Sequence, residues 1–408
     1  MISTPPTYTN NDFYAIIFLT FFKGYGMLEL SKKSGEKKVE YIELIYDLIF
    51  VYIIGRNNTL LHNFKDGFIA PSAFFTYFIT AVIILQIWYS TVIFINKYGN
   101  NGLQENVAIF INMYLLYYMA QGVRTDWHDY YYRFSIAWAL ILLNTAIQYI
   151  IKYRKADASM TCIKTQIKRN LAVFAMQIAI ILASLPIFKL TGVALSPLAM
   201  VAGIIVVVAM SGKTADVEAG DFSHFTERIM LYIVFTFGEM IIAISSYFEG
   251  GFSFRSVYFS FCAFLIVAGL FLSYGFVYDN VINRELKISG SVYMLIHVLM
   301  ITALNNITAA LEFMRMDEVK TIPKNIFIVA SIIAYFIFLF STERYAIIRC
   351  KGSVKFFALI VLASIIFAGL AILFFNNAFV SIALAVIYIY SVFLILYINV
   401  KRKRKARD

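Results

Sequence analysis

The sequence predicts an all-α polytopic membrane protein of about 12 transmembrane helices, arranged as two parallel six-helix repeats. Three observations lead there. Residues are 61% hydrophobic and only 14% charged, with a mean hydropathy of +0.75. About a dozen apolar stretches run roughly 17 to 25 residues, enough to cross a ~30 Å hydrocarbon core as helices. Basic residues also alternate: with a cytoplasmic N-terminus, 26 of the 35 Lys and Arg fall on the inner side and 9 on the outer. That excess is the positive-inside pattern, and an even number of spans puts both termini in the cytoplasm; a composition rich in Ile, Lys and Phe with six prolines suits a bacterial plasma membrane.

Residues 1–38 form a cytoplasmic N-terminal segment. Its apolar stretch, Phe13 to Phe22, is too short to span and lacks the basic leader of a signal peptide, so it suits an interfacial helix. Spans of the first repeat (39–211) begin near Tyr41, Pro71, Glu105, Tyr132, Arg169 and Gly192. Those of the second (212–400) begin near Phe225, Arg255, Gly290, Lys324, Ser353 and Ala378. Corresponding starts are offset by 184 to 192 residues, so the halves read as copies related by an axis along the membrane normal, with their first helices facing across it. The basic tail (401–408), with Lys401-Arg402-Lys403-Arg404-Lys405, is drawn to anionic lipid headgroups rather than to nucleic acid.

The first span carries Glu40, Glu43 and Asp47 on one helical face. Glu40 and Glu43 can reach headgroup water, whereas Asp47 lies about two turns inside and needs a partner or a hydrated cavity. The segment before Arg56 is short unless its helix continues through Asn57 to Leu61, and such a helix belongs inside the bundle. The seventh span opens with His224-Phe225-Thr226-Glu227-Arg228 at the cytoplasmic boundary, and Glu239 follows near mid-bilayer. Gly238 beside it would allow close backbone approach, and Thr236 and Ser246 either line a polar path or satisfy each other. The ninth span adds His297, Asn305 and Glu312. His297 suits a satisfied core position or a proton relay. Asn112, Asn144, Gln148 and Gln177 read as interhelical hydrogen-bond glue, and Gln86 adds a further polar group at depth. Arg228 and Glu227 suit a boundary ion pair or a gate, and no basic residue is expected well inside a span.

Cys162, Cys262 and Cys350 form no pair by spacing, and the four histidines show no zinc pattern, so neither a metal site nor a cofactor is indicated. Intramembrane acids are functional by default, so the leading expectation is a transporter or channel for a small cation, K⁺, Na⁺ or H⁺. Its path or coupling residues would be Asp47, Glu239, Glu43, Asn305 and His297. Its cytoplasmic vestibule would hold Glu40, His224, Glu227 and Arg228. Two alternatives remain. One is an enzyme acting on a lipid or lipid-linked substrate, with His224 and Glu227 converging on Asp47. The other is a structural or regulatory component whose acids are buried pairs.

Glu43-Leu44-Ile45-Tyr46-Asp47-Leu48-Ile49-Phe50-Val51 resembles the E-L-F-F-D-L-V-F-V signature that opens bacterial low temperature requirement A (LtrA) proteins. His224-Phe225-Thr226-Glu227-Arg228, followed by Phe237-Gly238-Glu239, resembles that family's H-x-x-E-R and L-G-E signature. Departures at Ile229 to Tyr232 and at Phe237 are apolar for apolar. The resemblance implies a multi-pass membrane protein named for a cold-growth phenotype, without an established molecular activity. Tyr46-Asp47-Leu48-Ile49-Phe50 is also similar to the F-S-D motif of potassium channels built from six-helix repeats, but five residues do not carry that assignment.

Overall fold

Backbone amides in hydrocarbon must bond within their own segment, and this chain answers with helix after helix. The structure, a computed structural model, describes residues 39–405 apart from 122, 124–126, 158–159, 212–220, 249–252 and 289. The stretch from Phe13 to Phe22 lies outside the described residues. The first six helices are α1 (Tyr41–Asn58), α2 (Pro71–Tyr98), α3 (Leu103–Gln121), α4 (Trp127–Lys155), α5 (Thr161–Thr191) and α6 (Pro197–Ser211). The next six are α7 (Phe222–Ser245), α8 (Phe254–Asn280), α9 (Ser291–Arg315), α10 (Thr321–Ser341), α11 (Val354–Leu373) and α12 (Ala378–Lys405).

Local chemistry explains the ends. Pro71 opens α2 at a position where its missing N–H costs nothing. Asp221, Ser253 and Ser353 cap α7, α8 and α11 by accepting hydrogen bonds from backbone amides three residues on. Gly192 closes α5 in the left-handed region, at φ 71°. Helix α5 starts eight residues before the expected Arg169, because Lys164 and Lys168 extend it as a charged turn beyond its apolar length. Helix α1 continues to Asn58 and then tightens into a 3₁₀ turn, Thr59–His62, as its short apolar length requires.

Among the described residues, nine of the twelve helices are long and apolar enough to cross a membrane. The expectation of about twelve such spans is therefore met only in part: α1 carries Glu43, Asp47 and Arg56, α6 is 15 residues long, and α3 is 19 residues with a polar start.

Helix α1 packs on α2 and α3, α3 on α4, α4 on α5, α5 on α6, and α2 on α4 and α6. Helix α7 packs on α8 and α9, α9 on α10, α10 on α11, α11 on α12, and α8 on α12. Contacts between the sets run α1 to α7, α2 to α7 and α9, and α6 to α9, and Val39–Asp408 form one compact unit. Helix α9 is the most enclosed, whereas α5 and α11 turn most of their apolar surface outward.

Between the 3₁₀ turn and α2, strands β1 (Phe64–Lys65) and β2 (Phe68–Ile69) pair antiparallel. Asp66 and Gly67 make the tight turn with φ of 56° and 82°, the primed geometry that Asp-Gly favours. Its tip reaches the start of α10, where the Lys320 amide donates to the Gly67 carbonyl at 2.8 Å. Phe64 packs edge-on against Phe313 of α9, and Phe68 against Phe327 of α10.

Candidate functional site

Four charged or titratable side chains meet where α1 crosses α7, and all four are sealed from solvent. Asp47 Oδ1 accepts from Arg228 Nη2 at 2.6 Å and from the indole N–H of Trp88 at 2.7 Å. Asp47 Oδ2 accepts from Arg228 Nε at 3.3 Å, so guanidinium and carboxylate meet as a two-point fork. Glu43 Oε2 lies 3.2 Å from Arg228 Nη1 and 3.2 Å from His224 Nε2. The other ring nitrogen of His224 lies 3.2 Å from Asn96 Oδ1 of α2.

The arrangement follows from spacing. Glu43 and Asp47 are four residues apart on α1, as His224 and Arg228 are on α7, so each pair projects from one face. The helices run in the same direction, and the two pairs interlock like rungs. Helix α2 supplies the third wall: the Trp88 ring stands 4.7 Å from that of Tyr232, and the Tyr46 hydroxyl donates to Thr91 at 2.8 Å.

Further along the same helices lies a second group of acids. Glu239 of α7 is half-buried and, among the described residues, makes no hydrogen bond or ion pair. Its carboxylate lies against Gly55 of α1 and within electrostatic reach of Glu312 on α9. Glu312 pairs with His62 Nε2 at 2.8 Å, and both remain partly exposed.

Other sequence-predicted residues fall elsewhere. Glu227 is exposed, within electrostatic reach of Arg284 rather than in the buried network, so the convergence of His224, Glu227 and Asp47 does not form. Glu40 stands at the start of α1, partly exposed. His297 bonds the Tyr293 carbonyl of its own helix at 2.8 Å and packs between Tyr293 and Tyr274, a satisfied core position. Asn305 is buried, and its Nδ2 has no partner among the described residues. Thr236 and Ser246 each bond a carbonyl of the preceding turn. Asn144 donates to Asn112 at 2.8 Å and Gln177 to the Ala199 carbonyl at 3.1 Å, both acting between helices.

Two expectations need correction. Arg228 and His224 do not sit in a cytoplasmic vestibule but are buried, because Asp47 and Glu43 offer the arginine the counter-charge that burial demands and Glu43 and Asn96 face the imidazole. Gly238 faces open space, and the close approach beside Glu239 is made by Gly55 on the facing helix. Trp88, Asn96 and His62 escaped the sequence reading. A tryptophan within an apolar helix signals an N–H that needs a partner, and Trp88 could have been found that way.

Among the described residues, no group of three or more His, Cys, Asp or Glu is placed to hold a metal ion. A family model described as "Bacterial low temperature requirement A protein (LtrA)" matches residues 38–393, a range that includes both charged groups. No curated protein matches the chain.

Proposed function

The chain belongs to the bacterial low temperature requirement A (LtrA) family, and from that premise we propose that it moves a small cation, K⁺, Na⁺ or H⁺, across the membrane. The observation that carries this reading is Glu239, a half-buried carboxylate six residues before the end of a membrane-crossing helix, with no counter-charge bound to it among the described residues. Such a group is costly in hydrocarbon and earns its place by meeting a cation or proton from solution. Glu312 and His62 continue the acidic lining from α9 to the end of α1, and Asn305 stands two turns from Glu312 on the same face. At the other end, Glu43, Asp47, His224 and Arg228 form the closed gate, and Glu40 and Glu227 belong to the vestibule outside it. His297 is left out of the path by its bonds within α9.

On this reading all twelve helices span, as two parallel six-helix repeats. Equivalent helices begin 181 to 194 residues apart, and in both halves the first packs on the second and third, the third on the fourth, and onward to the sixth. The gate then lies where first helix meets first helix. Both termini are cytoplasmic, and the basic run of the sequence from Lys401 to Lys405 is drawn to anionic headgroups.

Flux through purified protein in liposomes, under K⁺, Na⁺ and H⁺ gradients, tests the reading. The native chain should conduct one of these ions, and Glu239→Gln should abolish that flux while remaining folded. No flux above empty liposomes under any gradient would overturn it. The pairing of Asp47 and Glu43 with Arg228 favours a second reading, a structural component without turnover; it predicts no flux, with unfolding as the cost of neutralising Asp47.

A further inference from the structure

We propose that Gly55 is a positioning residue for Glu239, the one place on α1 whose lack of a side chain lets that carboxylate stand between the two helices. The inference rests on the reading of Glu239 as the cation-contacting group.

A Cβ on Gly55 would stand 2.6 Å from Glu239 Oε1, 3.2 Å from its Cδ and 3.9 Å from its Cγ. Those three atoms are the nearest neighbours of the vacant position, so the room left by the glycine is filled by this one side chain. Gly55 lies inside α1 and is not among the glycines of positive φ, so the backbone does not require it. Inside a helix, glycine is unfavourable relative to alanine. Space explains its presence where conformation does not.

The consequence of filling that space is specific. The opposing atoms are the far end of a flexible side chain rather than backbone, so alanine displaces the carboxylate and leaves the helices where they are. Displacement shifts Glu239 relative to Glu312 and to whatever ion the pair faces, and misplacing a binding group by an ångström is enough to impair function strongly. Gly55 touches no ion itself and acts through Glu239.

The test compares Gly55→Ala, Glu239→Asp and the double variant in the same liposomes, with melting temperature measured for each. Gly55→Ala should melt at or slightly above the native temperature and lose flux by on the order of tenfold to a hundredfold. Aspartate is shorter by one methylene and stands further from the new methyl, so Glu239→Asp lowers flux by itself and adding Gly55→Ala should cost little of the flux that is left. Native flux in Gly55→Ala overturns the inference. So does a loss of flux accompanied by a lowered melting temperature, or an equally large loss in the aspartate background. If the native protein conducts and Glu239→Gln does not, while Gly55→Ala conducts normally, only the role of Gly55 falls. A silent native protein removes the cation reading and this inference together.

Discussion

Asp47 is held by one arginine in two places and by one indole, and that concentration makes it the most sensitive residue of the buried network. Asp47→Asn leaves Arg228 sealed with only Glu43 facing it, and breaking a buried pair from one side costs about 3–5 kcal/mol. The detergent-solubilised variant should melt well below the native protein, and neutralising the whole group, Asp47→Asn with Arg228→Gln and Glu43→Gln, should recover most of the loss. An unchanged melting temperature in the single variant would mean that the pair is hydrated. The acidic stripe was legible in sequence because Glu43 and Asp47 share a helical face wherever the helix points. Arg228 was not, because His224, Glu227 and Arg228 share a single run, and only the rotation of α7 decides which are buried. The Asp47 carboxylate settles that rotation, and it lies 181 residues away.

At the scale of elements, helix existence was legible from apolar length alone, and each expected start lies within eight residues of a helix start. Boundaries drifted where charged turns prolong a helix past its apolar stretch, as in α5. The pairing of elements was hidden, because it depends on small residues whose partners lie far along the chain. Gly269 of α8 shows this: a Cβ there would stand 2.6 Å from Ile389 Cγ2 and 3.1 Å from the Tyr390 ring, so α8 and α12 cross closely at this point. Ile389 is fully buried and cannot retreat. Gly269→Ala should therefore destabilise by about 1–3 kcal/mol, read as a lowered melting temperature. A neutral result would show that the two helices slide apart without cost.

For the whole molecule, the charge asymmetry of the loops predicts that both termini face the cytoplasm. Green fluorescent protein fused after Asp408 should fluoresce, and alkaline phosphatase at the same place should be inactive. The reverse result would invert the topology. Hydropathy made the membrane architecture readable, while the difference between Asp47, which is ion-paired, and Glu239, which makes no ion pair among the described residues, was not, since both are carboxylates in apolar sequence. What separates them is the presence of Arg228 beside one and of Gly55 beside the other.

The β1–β2 hairpin and the buried network tie the two ends of α1 to different neighbours. One end is bolted to α7 through Asp47 and Arg228. The other, past the 3₁₀ turn, is fastened to α9 and α10 through His62 with Glu312 and Gly67 with Lys320. Both moorings are side-chain contacts that stand off the axis of α1, so together they fix the helix in rotation as well as in position, and that fixed rotation is what keeps Gly55 turned toward Glu239.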